Sequence, residues 1–308
     1  MTINTVAILG AGAVGGYFIW GLSEKLGERL WVIAEGERRE RLLRDGIEIN
    51  GRKYALNVRT PEEAAGVDLL LVATKYGSLE ESLPMIEKIV GEHTVVMSLL
   101  NGVDSEEVIG ERIGKEHLIY SVMKIASERK GDQVVFDGPS TSGVFFGEVE
   151  EGTSTERLEA IAEVFEGTAL SFHVVSDILT QIWYKFALNV SRNQPQAIIG
   201  CGVGAYEDSE HVAYISEKLR EEVVAVAAAK GIDISKPTDG AGSSSPSAKR
   251  ARYSTLQDLD AERPTEVGMF AGAVMKMGKE LGISVPYNEM TYHLIKALEE
   301  KNEGKFDY

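Results

Sequence analysis

Residues 5–9, Thr-Val-Ala-Ile-Leu, form a short apolar run that ends directly in Gly10-Ala-Gly-Ala-Val-Gly15 and continues as a helical pattern to about Leu26. No other feature restricts the fold as much. In a G-x-G-x-x-G loop between strand and helix, the first glycine permits a tight turn. The second lets a pyrophosphate approach the backbone, and the third lets helix and strand pack closely. The helix N-terminus then presents oriented N–H groups to an anion. Glycine spacing by itself is weak evidence. Here the preceding strand, the following helix and the N-terminal position agree, which disfavours a chance turn.

The next segments repeat the pattern. Leu30 to Ala34, Asp68 to Thr74 and Thr94 to Leu100 are apolar runs read as buried strands, with helical stretches between them. Strands alternating with helices predict an α/β domain, a Rossmann-like doubly wound parallel sheet. Asn50-Gly51 between extended segments predicts a hairpin, and residues 132–148 read as two strands with a turn at Asp137-Gly138-Pro139. Past Val175 the period is helical: roughly 177–199, 208–230, 251–260, 264–281 and 287–301. At 308 residues the chain exceeds what one core usually organises. The expected division is a dinucleotide-binding domain over 1–175 and an all-α substrate and catalytic domain over 176–308, its first helix capped by Ser176 or Asp177.

Acidic residues outnumber basic ones 48 to 32, a net charge of −16. Such a surface repels nucleic acid and anionic membranes at long range, so neither is an expected partner, and an anionic substrate would need a local cluster of cations. Cys201 is the only cysteine, so no intramolecular disulfide can form, and a small buried side chain is the preferred reading for it. Met1-Thr2-Ile3-Asn4 lacks a basic leader, and no apolar run approaches the ~20 residues of a membrane span, so a cytoplasmic location is expected. His93, His117, His173, His211 and His293 show no paired ligand spacing, so no metal is expected.

In Lys185-Phe-Ala-Leu-Asn189-Val-Ser-Arg-Asn193 the four-residue steps place one ammonium and two carboxamides on one helical face, a polar column suited to a small anion. Asparagines are poor helix formers, so this register has a propensity cost that function would explain. Thr74-Lys75 and Asn101-Gly102 end two strands, where open α/β sheets bind ligands. A plain turn explains Asn101-Gly102 equally well. After strand 2 the chain reads Ala34-Glu35-Gly36-Glu37-Arg38-Arg39. Glu35 suits the ribose hydroxyls of NAD, whereas Arg38 and Arg39 suit the 2′-phosphate of NADP; the choice stays open. Arg263-Pro264-Thr265-Glu266 looks like a helix start with Pro264 in its first turn. Thr238 to Arg252 is rich in glycine and serine; a solvated basic turn is preferred over a lid in front of Ser254.

The ordered set resembles the ketopantoate reductase (2-dehydropantoate 2-reductase) family over nearly the full length. The matching positions are Gly10-Ala-Gly-Ala-Val-Gly15, Lys75, Asn101-Gly102, Lys185-x-x-x-Asn189-x-x-x-Asn193, Tyr253-Ser254 and Thr265-Glu266. The resemblance implies a helical domain like that of 6-phosphogluconate dehydrogenases after the Rossmann domain, with Lys185 and Glu266 catalytic. It implies Asn101, Lys185, Asn189, Asn193 and Ser254 as contacts of a small 2-oxo acid substrate. Gly10, Ala11, Gly12, Ala13, Val14, Gly15, Lys75, Asn101 and Glu266 would touch the cofactor. NADPH is the family's usual reductant; NADH remains open because Ala34-Glu35 stands where an arginine is common. Val203, Gly268 and Ala271 also depart from the family pattern, which leaves open a different 2-oxo or 3-oxo acid. A non-catalytic dinucleotide-binding protein is the third reading, and a homodimer also stays open.

Overall fold

The computed structural model describes residues 1–130, 133–139, 141–150, 155–236 and 249–306. The chain divides into two compact units, Met1–Gln181 and Ile182–Tyr308.

The first unit is built on an eight-stranded sheet. In chain order the strands are β1 (Val6–Leu9), β2 (Leu30–Ile33), β3 (Ile47–Ile49), β4 (Arg52–Tyr54), β5 (Val58–Arg59) and β6 (Leu69–Val72). There follow β7 (Val95–Ser98), β8 (Leu118–Lys124), β9 (Ser127–Lys130), β10 (Gln133–Phe136), β11 (Gly143–Gly147) and β12 (Phe172–Val174). The main sheet runs β12-β11-β8-β7-β6-β1-β2-β5. Its strands from β5 to β8 are mutually parallel. β11 lies antiparallel to β8, with β12 parallel to β11.

Alternation along β1 explains the double winding. Val6 and Ile8 join Tyr17, Phe18 and Leu22 of α1 (Ala13–Leu26) in one core. Ala7 and Leu9 face the opposite core, which holds Leu79, Leu83 and Ile86 of α3 (Leu79–Ile89) and Ile109 of α4 (Ser105–Ile113). α2 (Gly36–Asp45) follows β2, and α5 (Glu156–Phe165) adds Ile161 and Phe165 to the first core. Both faces of the parallel strands are thus buried, which is why they read as continuous apolar runs.

The Asn50-Gly51 hairpin forms as expected, with Ile47 opposite Tyr54 and both turn residues at positive φ, 49° and 77°. Its strands are not part of the main sheet. They make a second, four-stranded sheet, β4-β3-β10-β9, packed on α1, where Val134 meets Gly16. The strands around Asp137-Gly138-Pro139 therefore do not pair with each other: β10 stays in the small sheet, and β11 crosses to β8. Local turn chemistry marks the bend but carries no information on the long-range partner.

In the second unit the expected helix over 177–199 is interrupted. α6 (Ile178–Leu188) runs into a π-helical turn, Asn189–Asn193, before α7 (Gln194–Ile199). α8 (Ala205–Asp208) and α9 (Glu210–Ala229) follow. α10 (Ser254–Asp260) begins three residues later than expected. The helix expected from Pro264 begins only at Gly268, again with a π turn, Gly268–Gly272, that leads into α11 (Ala273–Leu281). Pro264 lies outside it because Thr265 is held elsewhere: its backbone N–H and hydroxyl both donate to Glu299, at 2.7 and 2.6 Å. α12 (Pro286–Asn302) is capped by buried Glu222, whose carboxylate accepts from the backbone N–H groups of Tyr287 and Asn288. Among the described residues no helix is long and apolar enough to cross a membrane.

Candidate functional site

The glycine loop carries three different constraints. Gly10 adopts φ +110°, and a Cβ there would stand 2.5 Å from the Ala73 carbonyl oxygen, so this loop lies against the end of β6. A Cβ on Gly15 would stand 1.9 Å from the Gly10 oxygen, which makes Gly15 the close-packing glycine. Gly12 has nothing within 4 Å of its would-be Cβ and immediately precedes α1. Ala11, Ala13 and Val14 fill the loop between them, with Ala11 and Gly15 buried. Two strained or crowded glycines and one facing open space at a helix N-terminus fit a pyrophosphate. The loop therefore has room for a dinucleotide's pyrophosphate at Gly12.

Thr74 and Lys75 follow β6 at the same edge. The Thr74 Oγ1 is buried without a hydrogen-bond partner, a donor and acceptor left over at the place where a ligand would arrive. Lys75 is exposed. The Asn101-Gly102 turn follows β7, with Gly102 at φ 97°, so the segment is a glycine-requiring turn and also sits at a strand's carboxyl end. The loops after β6 and β7 are joined by the Tyr76 hydroxyl, which donates to Asp104 at 2.6 Å. Burial, then that hydrogen bond, pushes the Tyr76 phenol well above its usual range.

Beneath the Asn101 turn lies a chain of buried polar groups that sequence reasoning missed. The Ser98 and Ser105 hydroxyls are 2.7 Å apart, and Ser105 donates to Glu106 at 2.8 Å. Glu106 is 4% exposed, and burial pushes its carboxyl up to about 7. Lys124, at the carboxyl end of β8, was also missed. Its ammonium donates to Gln181 at 2.9 Å and lies 4.1 Å above the Phe145 ring. Burial holds it below the usual lysine range, against the opposing pull of Asp177.

After β2, Glu35 is exposed and its carbonyl accepts the Arg39 N–H at the start of α2. Arg39 pairs with Glu63 at 3.2 Å, and Arg38 is exposed. One of the two candidate phosphate ligands is thus already held by a carboxylate.

In the second unit, Lys185 and Asn189 are half-buried, one helical turn apart. Asn193 closes the π turn that Asn189 opens. Asn193 is 3% exposed. Its Nδ2 donates to Ser254 Oγ at 3.1 Å, and its Oδ1 accepts from the Thr255 N–H at 3.1 Å. Asn193 therefore caps α10 and fixes exposed Ser254, 61 residues away in the chain.

Gln196 completes this clamp. It is fully buried, donates to the Ala251 carbonyl at 3.0 Å and accepts from the Tyr253 N–H at 2.6 Å. Lys249 is tied to Asp208 at 2.7 Å, and Arg252 to Asp260 at 2.8 Å. Most of the segment weighed as a lid or basic turn, 237–248, lies outside the described residues. Glu266 is half-buried, directly after the Thr265 that Glu299 anchors. Cys201 is half-buried, and among the described residues no cluster of three metal-ligating side chains occurs.

Two family models match the chain. Residues 6–151 match "Ketopantoate reductase PanE/ApbA", and residues 177–299 match its C-terminal domain. The chain is 28% identical over 301 residues to a 2-dehydropantoate 2-reductase of Archaeoglobus fulgidus, covering 97% of this chain and 99% of that one. In fold it resembles a PanE/ApbA family ketopantoate reductase from Ralstonia eutropha, with TM-score 0.77, 24% identity and coverage of 97% and 99%. It also resembles a ternary complex of D-mandelate dehydrogenase with NADH and anilino(oxo)acetate, with TM-score 0.83, 22% identity and coverage of 97% and 99%.

Proposed function

The chain belongs to the ketopantoate reductase (PanE/ApbA) family and is an oxidoreductase, and we propose that it reduces 2-dehydropantoate to pantoate with NADPH. The observation that carries this reading is the 3.1 Å hydrogen bond from Asn193 to Ser254, which joins two motif positions distant in sequence into one polar patch.

A bound reduced dinucleotide supplies the hydride to the keto carbon. Gly10, Gly12 and Gly15 would cradle its pyrophosphate on the N-terminus of α1, with Ala11, Ala13 and Val14 shaping the loop. Lys75 and Asn101 would contact it from the ends of β6 and β7. Lys185 donates to the keto oxygen, balances the negative charge that develops there and delivers a proton from its ammonium. Asn189 and Ser254 orient the substrate's carboxylate and hydroxyl, Ser254 being held in place by Asn193, and Asn101 shares the substrate. Glu266 accepts a hydrogen bond from a substrate or ribose hydroxyl. Held ~3 Å from its partners, such a set converts binding into orientation of the carbonyl.

A second reading rests on Gly268, where an added Cβ would meet nothing within 4 Å, and on fully buried Ala271. Both stand where the resembled family is polar, and the open space at Gly268 favours a bulkier 2-oxo acid. Glu35 after β2 likewise favours NADH, since a carboxylate there repels a 2′-phosphate. Initial rates with a panel of aliphatic and aromatic 2-oxo acids, each with NADPH and NADH at matched concentrations, decide. The highest kcat/KM for 2-dehydropantoate with NADPH supports the first reading. Preference for an aromatic acid selects the second, and no turnover with any 2-oxo acid ends both.

A further inference from the structure

Gln194 is fully buried, and both ends of its carboxamide are used. Its Nε2 donates to the Val190 carbonyl at 3.1 Å, and its Oε1 accepts from the Ala271 N–H at 3.3 Å, a residue 77 positions away. Each partner lies in one of the two π turns, Asn189–Asn193 and Gly268–Gly272.

The second turn shows why a side chain is needed. The Gly272 N–H bonds the Val267 carbonyl at 3.0 Å, five residues back. In an α-helix that carbonyl would receive the Ala271 N–H, so the π pitch displaces this donor from the helical ladder. Ala271 is fully buried, where an unpaired N–H is costly, and the Gln194 oxygen meets it. A glutamine offers one acceptor oxygen and two donor hydrogens on a rigid plane. It can therefore satisfy a displaced N–H in one turn and a carbonyl in the other at once.

We infer that Gln194 is a positioning residue for the reaction, locking the two π turns to each other. The inference rests on the reading of Lys185, Asn189 and Glu266 given above. Asn189 opens the first turn, and the Glu266 carbonyl accepts the Met269 and Phe270 N–H groups that open the second, at 3.0 and 3.2 Å. A π turn holds one residue more than the α turn it replaces. Its relaxation to α pitch would rotate one flank against the other by about 100°. Lys185 would then turn relative to α7 and to the Ser254 hydroxyl that Asn193 holds. The clamp keeps the extra residue in place and so sets the direction of side chains on both flanks.

The test uses Gln194→Met and Gln194→Glu in the full chain. In Q194M the Ala271 amide, followed by hydrogen exchange, should lose protection by about tenfold or more. The kcat for the best 2-oxo acid should fall by roughly 10–100-fold, while dinucleotide affinity, which resides in the glycine loop, stays unchanged. Q194E supplies a readout that a packing role would not move, and serves alone should Q194M fail to fold. Protonated glutamic acid keeps one donor and one acceptor, whereas the ionised form keeps acceptors only. Its activity relative to wild type should therefore rise as pH falls. A normal kcat in Q194M, or a Q194E pH profile parallel to wild type, overturns the inference. A wild-type protein that turns over no 2-oxo acid would instead overturn the reading of the site itself.

Discussion

Alanine at Gly12 and at Gly15 should fail in opposite ways, although the two glycines lie three residues apart. At Gly15 the new Cβ would sit 1.9 Å from the Gly10 oxygen and 3.3 Å from Ile8 Cγ2. Helix α1 must then withdraw from β1 by about 1 Å to reach the 3.0 Å that real Cβ atoms respect. Overpacking of this kind costs about 1–3 kcal/mol. For a unit of this size that corresponds to a Tm lower by roughly 2–12 °C. At Gly12 the Cβ meets nothing within 4 Å, and φ −87° with ψ −157° is ordinary extended backbone. G12A should therefore melt within about 1–2 °C of wild type, since isolated surface changes stay within about half a kcal/mol. Its Cβ would occupy the space a pyrophosphate needs, so the Kd for NADPH or NADH should rise at least ~10-fold, or ~1.4 kcal/mol. Thermal melts and fluorescence titration of the nicotinamide measure both quantities on the same samples. G12A with normal dinucleotide affinity, or G15A with normal stability, would refute the assignment of roles within the loop.

Three further outcomes follow from the same geometry. Lys185→Ala should lower kcat by ~10²-fold or more in steady-state assays, with dinucleotide affinity retained; near-normal turnover would remove Lys185 as the proton donor. Asn193→Ala removes the cap on α10 and the partner of Ser254. It should lower stability by about 1–3 kcal/mol and raise KM, and a variant with unchanged denaturation midpoint and KM would contradict the clamp. Glu106 has a carboxyl raised to about 7 in the fold. The unfolded chain ionises first, so the stability this group confers is full below about 4.5 and is lost as pH rises to about 7, by about 3 kcal/mol. Glu106→Gln should flatten that fall in Tm, and parallel pH–stability curves would refute the burial argument.

The parallel half of the fold was readable because its signals are local. Leu69 to Val72 is buried on both faces, and Asn50-Gly51 adopts positive φ at both positions, so runs and turns carried their own meaning. Pairing over distance was not readable. β8, the longest strand among the described residues, carries no turn signal that announces it, and β10 and β11 serve different sheets although one turn lies between them. The site shows the same division. The identities of Lys185, Asn189, Asn193, Ser254 and Glu266 stood out in the chain, but the π turns did not; the Ala271 N–H displaced in the second is met by Gln194, 77 positions away. Gln194 and Gln196 carry no recognisable motif, and only their buried hydrogen-bond partners reveal what they do. Glu106 escaped notice for the same reason, being one of many glutamates until its burial is known.

Direct hydride transfer from a reduced nicotinamide to the keto carbon of a 2-oxo acid is tested by incubating the protein with 2-dehydropantoate and NADPH or NADH deuterated at the transferring position, followed by mass spectrometry of the product. The expected product is pantoate carrying one deuterium on its hydroxyl-bearing carbon. Dinucleotide binding with no label in any product, across the same panel of 2-oxo acids, would contradict it.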